Sequence, residues 1–451
     1  MDTSMKICII GAGPAGLSAG MYLEKKGYMN YTILEARDHV GGKCSSPEYN
    51  GRRYEMGAIM GVPNYYAVND VEEFCGFTHD GPSLIRKYKD MNGNEIDPFN
   101  PKKNVTRIPH LLALKKQVKK LGELLETKYK GYDLNGHRGV AEGRYDGFAQ
   151  TPARERVSGE NENLKDLALP FSRFCRLNGI EDVQEIWVGP YTSFGYGYFD
   201  DIPAAYVLKY LDFKTAMNFF KLNLTTWKDG TQSIWERLDA KLTNHARLNS
   251  HITSVERKDG KVYVTVNGET EEYDRLIVTS PLQYFPDYAD ARDDEKEYFS
   301  KIDYERYDVM AFLTKPEDHP DISYYIFENM QPERYGHLMV YYRRWRDDIN
   351  QPITTYALRN RPGHPEIPYD NCKATVLHDL EVMHNPADEV IREEDWYYFP
   401  HIYSDDYAAG WYDKVEAMQG KYNTYYAGEI MSFGDMDETA EYSRELVERF
   451  F

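Results

Sequence analysis

The sequence predicts an α/β protein that combines a Rossmann-like, dinucleotide-binding domain with a helical cap and a second, sheet-based domain. Three observations carry this prediction. Near its start the chain has a short apolar run, a glycine-dense turn and a helix-like stretch, in KICIIGAGPAGLSAGMYLEKKG. Apolar residues recur at helical spacing over 111–132. Alternating patterns typical of strands, such as GHLMVYYRRW and QPITTYAL, occur within 286–419.

The first predicted element is a strand over Lys6–Ile10, whose β-branched and apolar residues suit burial on both faces of a parallel sheet. In the turn that follows, Gly11 permits the tight bend and Gly13 lets the backbone approach a pyrophosphate. Gly16 allows the next helix to pack closely on the strand. That helix starts near Pro14, where free N–H groups and the helix dipole favour an anion.

YTILE is the second predicted strand, and it ends in Glu35, an acid placed to accept hydrogen bonds from a ribose hydroxyl. The sequence therefore has, in the expected order, a strand, a glycine turn, a helix, a second strand and an acidic residue. This combination predicts dinucleotide binding. The alternative for an isolated glycine motif is a turn that holds no ligand.

A second glycine-rich segment indicates which dinucleotide is bound. Gly41 and Gly42 precede Lys43, which can approach phosphate or ribityl oxygens. In YEMGAIMG, Gly57 and Ala58 provide backbone that can lie against a flat ring. Nicotinamide folds have no need of such a segment and FAD folds commonly carry one, so the pattern favours FAD.

Two later stretches fit the same domain. Residues 250–282 are interpreted as three strands joined at an Asp-Gly and an Asn-Gly turn, with Ile252 able to touch adenine through its backbone. The final stretch gives a strand, then Gly428 and Glu429, then a helix from about Asp437 whose N–H groups could face an electron-rich ring oxygen.

Composition limits the kinds of partner and the cellular compartment that we expect for this protein. The chain has 451 residues and a formal net charge of −19, a field that repels nucleic acid and anionic membrane surfaces. The five cysteines show neither disulfide-scaffold nor zinc-site spacing, and no metal-ligand cluster is apparent. We find no signal peptide and no apolar run of membrane-spanning length, so we expect a cytoplasmic protein without stable membrane insertion. Oligomeric state stays open.

Motifs spread over nearly the whole chain resemble the flavin-containing amine oxidoreductase superfamily. Within it, they are most similar to the FAD-dependent polyunsaturated fatty acid double-bond isomerases, the linoleate isomerases of the Propionibacterium type. The strings that carry this resemblance are HVGGKC, GRRYEMGAIMGVP, PAAYVLKYLDF, MVYY, WYYFPH and YAGEIMSFG. One segment departs from the pattern: 138–165 is an insertion, polar and without apolar periodicity, for which we expect a surface loop.

The resemblance implies an FAD domain of the GR2, amine-oxidase type that is interrupted along the chain. We assign 1–82, 225–285 and 420–451 to it, 83–224 to the helical cap and 286–419 to a mixed α/β substrate domain. The predicted cofactor contacts are Gly11, Gly13, Pro14, Ala15, Gly16, Glu35, Ala36, Gly42, Lys43, Cys44, Gly57, Ala58, Ile59, Met60, Ile252, Gly428, Glu429 and Met436.

The resemblance also implies a reaction. A free polyunsaturated fatty acid such as linoleic acid gives a hydride from its bis-allylic carbon to flavin N5, and the hydride returns to the far end of the pentadiene unit. The implied product is a conjugated diene, trans-10,cis-12 conjugated linoleic acid. No protein acid, base or metal is required, and His337 and His401 are interpreted as structural.

Two substrate-binding residues follow from the family match. Arg86 corresponds to the carboxylate anchor, ahead of its neighbour Lys87; without the match it would be interpreted as a solvated surface arginine. Phe213 corresponds to an aromatic residue that gates the channel mouth; alone it would be interpreted as core. The run Tyr191–Phe199 suits either a pocket wall or a packed loop.

Two other functions remain open at this point. The superfamily motifs also fit an amine oxidase or a desaturase that passes electrons to oxygen, and the tyrosine-rich composition would suit an aromatic cage around an amine. A non-catalytic flavoprotein is the third candidate, although no flavin-binding segment is lost.

Overall fold

The computed structural model describes residues 2–97, 107–129 and 164–451. Its strands are β1 (Ile7–Ile10), β2 (Tyr31–Leu34), β3 (Glu48–Tyr49), β4 (Arg52–Arg53), β5 (Arg86–Lys89), β6 (Glu95–Ile96), β7 (Ile252–Lys258), β8 (Lys261–Val266), β9 (Glu269–Tyr273), β10 (Arg275–Val278), β11 (Asp303–Leu313), β12 (Ser323–Ile326), β13 (Val340–Arg343), β14 (Ile353–Leu358), β15 (Glu389–His401) and β16 (Thr424–Tyr426). Its helices are α1 (Pro14–Lys25), α2 (Tyr66–Cys75), α3 (Arg107–Glu126), α4 (Leu164–Leu167), α5 (Phe171–Asn178), α6 (Gln184–Tyr191), α7 (Ala204–Tyr210), α8 (Phe213–Phe220), α9 (Gln232–Lys241), α10 (Phe285–Tyr288), α11 (Asp293–Phe299), α12 (Tyr369–Val382), α13 (Ser404–Ala408), α14 (Trp411–Glu416) and α15 (Met436–Phe450).

A four-stranded parallel sheet, in the order β16-β10-β1-β2, forms the base of the first domain. The residues of β1 are all buried, as expected of a strand covered on both faces. Because the strands are parallel, their carboxyl ends meet at one edge. Gly11, Thr279 and Ala427 therefore emerge side by side there, and the Gly11 N–H donates to the Leu34 carbonyl at 2.8 Å.

Helices α1 and α15 pack against each other. Gly13 is the N-cap of α1 and Pro14 its first residue, a position where the missing N–H of proline costs nothing. Helix α15 begins at Met436, one residue before the predicted Asp437, because Asp435 caps it by accepting from the Glu438 N–H at 2.7 Å.

The stretch 250–282 folds into four strands rather than the predicted three. Strands β7, β8 and β9 form an antiparallel sheet, and its turns are the predicted ones, with positive φ at Asp259 and Asn267. The fourth strand, β10, leaves this sheet and joins the parallel one. The prediction merged β9 and β10 because Asp274 alone separates them.

A seven-stranded mixed sheet forms the second domain, in the order β15-β11-β14-β13-β12-β5-β6. Most neighbours are antiparallel, but β5 runs parallel to β12, with Arg86 paired to Ser323. Strands β5 and β6 come from a segment that we assigned to the cap, and they bring Arg86 into this sheet. The domain boundaries themselves stay a prediction.

The predicted cap helices are present. Helix α3 covers most of 111–132, and the stretch AAYVLKYLDFKTAMNFFKL forms the two helices α7 and α8. Asp212 separates these two and caps α8, accepting from the N–H groups of Lys214 and Thr215 at 2.7 and 3.0 Å.

The predicted loop over 138–165 lies outside the described residues except for its last two, which begin α4. Within the described ranges no helix combines the length and the apolar character needed to cross a membrane.

Candidate functional site

A cavity of about 470 Å³ opens at the carboxyl edge of the parallel sheet. Every predicted cofactor contact except Gly16 lines it, so the structure brings together segments from both ends and the middle of the chain. Gly16 lies just beneath. A Cβ atom there would come within 1.9 Å of the Gly11 carbonyl oxygen, so this glycine provides the close helix-on-strand packing expected of it.

The first glycine turn and the second glycine segment face each other across the cavity floor. Gly11 has a φ of +103°, and a Cβ there would lie 2.6 Å from Thr279 Oγ1, so only glycine fits this bend. A Cβ on Gly42 would lie 3.2 Å from the Gly13 Cα. The Gly41 N–H donates to the Ala12 carbonyl at 2.9 Å and fixes the two segments together. The result is a bare backbone cradle at the N-terminus of α1, suited to a pyrophosphate.

Glu35 lies at the end of β2, beside this cradle. One carboxylate oxygen accepts from the Ala12 N–H at 2.8 Å, and the other accepts from the Arg37 N–H at 2.9 Å. Each carboxylate oxygen can accept more than one hydrogen bond, so the group can also receive ribose hydroxyls. Ile252 lines the cavity too, as expected of an adenosine contact.

The other half of the cavity joins the second glycine segment to the end of the chain. A Cβ on Gly57 would lie 1.8 Å from the Lys43 carbonyl oxygen, which makes this position intolerant of any side chain. The Lys43 ammonium pairs with the Glu429 carboxylate at 2.6 Å, linking GGK to YAGE. Gly428 has a φ of +92°, and a Cβ there would approach the Thr279 carbonyl oxygen to 2.8 Å.

Aromatic side chains form the remaining walls, and sequence reasoning identified few of them. The rings that line the cavity are Tyr65, Phe194, Tyr196, Tyr210, Tyr288, Tyr304, Tyr307 and Tyr398. Tyr196 and Tyr398 stack with centroids 5.5 Å apart and their hydroxyls 3.2 Å apart. Burial raises the pKa of both phenols, so they stay neutral. The glycine-aromatic run Tyr191–Phe199 was the available signal, and it provides both a wall (Phe194, Tyr196) and buried packing (Tyr191).

Arg86 lies outside this cavity and lines a second one of about 260 Å³. Its Nη2 donates to the Phe219 carbonyl at 2.9 Å, and its guanidinium lies 5.2 Å from the centroid of the Tyr325 ring. Its Nη1 is buried and has no hydrogen-bond partner. The same cavity has apolar walls that include Trp187 and Pro190. Buried donors are normally satisfied, so this atom points to an anionic or polar ligand.

Lys87, the residue we ranked behind Arg86, also lines this second cavity. It is exposed, and its ammonium pairs with the Glu95 carboxylate at 2.9 Å. Its charge is therefore already matched and solvated, which leaves Arg86 as the better anchor of the two.

Phe213 lines neither cavity. It is 39% exposed and its ring packs over Gly122 of α3, with a closest approach of 3.3 Å to an added Cβ. Its gate role stays a prediction. Phe219, which sequence reasoning did not single out, lies between the two cavities: its carbonyl binds Arg86 and its ring contacts Phe194 and Tyr210.

The two histidines interpreted as structural lie away from the cavity walls. His337 Nδ1 contacts the Asp379 carboxylate at 2.9 Å, and His401 is buried with its Nδ1 at 2.9 Å from the Phe399 carbonyl. Burial lowers the pKa of His401, which favours the neutral ring. Among the described residues no group of histidine, cysteine or acidic side chains could hold a metal ion.

These features meet the requirements of a bound FAD. The glycine cradle suits the pyrophosphate, Glu35 the ribose, and Ile252 the adenine. The aromatic walls and the bare backbone of Gly57 can receive a flat ring system.

Comparisons with known proteins agree with this reading. A crystal structure of the CLA-producing fatty acid isomerase from P. acnes is 50% identical, with a TM-score of 0.90 and full coverage of both chains. The polyenoic fatty acid isomerase of Ptilota filicina is 21% identical over 216 residues; this chain matches 41% of that protein's length. Putrescine oxidase bound to putrescine is 14% identical with a TM-score of 0.69, covering 99% of this chain and 98% of that one, a likeness that shows the fold alone.

Residues 14–422 match the flavin-containing amine oxidoreductase family. The predicted α/β fold, with its FAD-binding domain, is confirmed by these matches. The chain therefore belongs to the flavin-containing amine oxidoreductase family, and its cofactor is FAD.

Proposed function

We propose that this protein is a fatty acid double-bond isomerase that converts a free polyunsaturated fatty acid, such as linoleic acid, to a conjugated diene. One observation carries the proposal. A buried guanidinium N–H group without a partner, on Arg86, lines a mostly apolar cavity that Phe219 separates from the dinucleotide cavity. The 50% identity to a fatty acid isomerase over the full chain supports it.

We assign the cofactor to the cradle built by Gly11, Gly13 and Gly42, with Glu35 on its ribose. When bound, FAD supplies a hydride acceptor and donor at N5 of its ring. Lys43 and Glu429 neutralise each other beside the cavity, so neither leaves a bare charge near an apolar substrate. This pairing keeps the reactive end of the cavity compatible with a hydrocarbon chain.

Arg86 would hold the carboxylate of the fatty acid. Its Nη2 is engaged by the Phe219 carbonyl, and Nη1 is a buried donor that remains available to an incoming oxygen. A hydrogen bond between charged groups contributes about 1.5 to 3 kcal/mol, and more when the alternative is a buried, unpaired donor. The carboxylate therefore fixes where the chain enters, and the apolar walls direct its tail.

The aromatic residues would then position the pentadiene unit and exclude water. Tyr196, Tyr210 and Tyr307 carry phenols whose pKa burial raises well above the ordinary value, so no phenolate competes for a proton at neutral pH. Their π faces can also stabilise positive charge that develops on the substrate. Placement of the reacting carbon supplies much of the rate in such a site, because an allylic C–H bond gives a base little to act on.

The test is anaerobic incubation of the flavin-loaded protein with linoleate, followed by ultraviolet absorbance of a conjugated diene. We expect diene to form without oxygen and without net reduction of the flavin. Bleaching of the flavin that is reversed only by air, with peroxide released, would instead support an oxidase or desaturase. The control is the methyl ester of linoleic acid, which keeps the pentadiene but lacks the charge that Arg86 binds.

A further inference from the structure

Helix α3 contacts a residue that lines the second cavity. On its inner face, His110 Nε2 contacts the Glu185 carboxylate at 2.9 Å, and Glu185 lines that cavity. Gln117 donates to Asp182 at 2.7 Å, and Leu114 and Leu121 are buried. These residues recur at the spacing of one helical face. This inner face therefore fixes α3 to the rest of the cap.

The opposite side of α3 faces solvent and combines apolar with basic residues. Ile108, Leu112, Lys115 and Lys119 recur at the same helical spacing, and all of them are exposed, Ile108 to 72% and Leu112 to 64%. Lys116 is exposed beside this stripe. We call Ile108, Leu112, Lys115, Lys116 and Lys119 the α3 outer face.

The charge of this helix opposes that of the chain. By sequence, α3 carries five basic residues and two acidic ones, whereas the whole chain has a net charge of −19. Among the described residues, the lysines of the α3 outer face make one ion pair, between Lys119 and Glu123 at 3.3 Å, and both of these groups are exposed. Helix α5 of the cap likewise exposes Arg173, Arg176 and Leu177. A basic region with aliphatic tips complements an anionic lipid surface.

We infer that the α3 outer face docks the protein on anionic phospholipid bilayers, so that the second cavity receives its fatty acid from the membrane. The inference rests on the proposed function for the nature of the substrate. Its physical basis is separate: lysines bind the lipid headgroups, and Ile108 and Leu112 enter the headgroup region. With only two aliphatic tips, binding is peripheral and depends on charge, which agrees with the absence of a spanning helix among the described residues.

The test is cosedimentation of the flavin-loaded, full-length protein with vesicles of phosphatidylcholine alone or mixed with phosphatidylglycerol. We expect binding to the mixed vesicles only, and release by salt because surface attraction is screened. Each lysine near an anionic surface contributes about fivefold to partitioning. Lys115→Glu, Lys116→Glu and Lys119→Glu combined should therefore weaken binding about a hundredfold or more.

The matched control makes the same charge change at Lys241, Lys296 and Lys315, which are exposed elsewhere, and it should bind nearly as the unaltered protein does. Equal loss in both triple variants, equal binding to neutral vesicles, or no binding at low salt would overturn the inference. Replacing Ile108 and Leu112 by serine should weaken binding to the mixed vesicles at low salt, because these two side chains enter the headgroup region.

Measuring turnover tests this inference separately from the proposed function. The α3 triple variant should isomerise monomeric linoleate normally and lose rate only with linoleate held in anionic vesicles. Vesicle binding without diene from either source would refute the isomerase function and leave docking supported. Diene formation from monomeric linoleate by a protein that does not bind vesicles would refute docking alone.

Discussion

Replacing Arg86 by alanine tests the anchor most directly. The substitution removes a guanidinium whose Nη2 binds the Phe219 carbonyl and whose Nη1 is buried without a partner. Arg86→Lys keeps the positive charge but loses the planar fork of donors, so it separates charge from geometry. Lys87→Ala is the matched control, because that neighbour is exposed and already paired with Glu95.

The expected loss follows from the contacts that Arg86 offers. A charged hydrogen bond to carboxylate in a partly buried site contributes about 1.5 to 3 kcal/mol, and the ion pair adds to it, so we expect a loss of about 2 to 4 kcal/mol of binding free energy. That corresponds to a KM for linoleate raised about 30- to 800-fold. The KM of Arg86→Lys should lie between those of the unaltered protein and Arg86→Ala, and Lys87→Ala should change KM by less than about threefold.

The assay measures initial rates of diene formation with linoleate and with its methyl ester. Unaltered protein should prefer the acid to the ester. Arg86→Ala should abolish that preference, because the ester does not bind the guanidinium. Flavin absorbance reports whether the cofactor is retained. If Arg86→Ala keeps both the flavin and the preference for the acid, Arg86 is not the anchor.

Three further predictions concern the cofactor cradle and the stability of the fold. Gly57→Ala should yield protein purified with little flavin, because its Cβ would overlap the Lys43 carbonyl. Its control, Gly268→Ala, lies at a turn with open space and should keep the flavin, at a cost of only about 1 kcal/mol of backbone strain. Flavin content and denaturant unfolding measure these two effects. Asp212→Ala should lower the free energy of unfolding by about 1 kcal/mol through loss of the α8 cap, whereas Asp212→Asn should largely retain it. Glu305 is buried and one of its oxygens has no partner; burial raises the pKa of this carboxyl well above its ordinary value, so the folded state keeps a proton that the unfolded chain releases above about pH 4.3. The free energy of unfolding of the unaltered protein, relative to that of Glu305→Gln, should therefore fall by about 1.4 kcal/mol per pH unit above that point until the folded pKa is reached. A difference in unfolding free energy between the two proteins that stays the same at several pH values would contradict this prediction.

Much of the cofactor site could be predicted because its signals are local. Glycines at bends, such as Gly11, are required by backbone geometry that short motifs encode, and Glu35 follows its strand at a fixed distance. The start of α15 was predicted to within one residue, but its N-cap, Asp435, is one of several acidic residues at that point and the sequence alone does not single it out.

The substrate side was harder to predict because long-range pairing builds it. Strand β5 is short and polar, with the sequence RKYK, and nothing local indicates that it pairs in parallel with β12. The role of Phe219 depends on its carbonyl reaching Arg86, which no side-chain pattern encodes. Phe213, singled out by the family match, lies against α3 instead of lining either cavity.

The order of strands in the parallel sheet has a consequence for biosynthesis. Strand β1 lies between β2 and β10, and the pairing of β1 with β10 spans 268 residues of chain. At a typical rate of translation, the β1 edge waits about 15 to 50 s for that partner. During this time an apolar strand is open to pairing with other nascent chains. We therefore expect co-expression of chaperones to raise the yield of soluble protein, because a chaperone can cover the β1 edge until β10 has been synthesised.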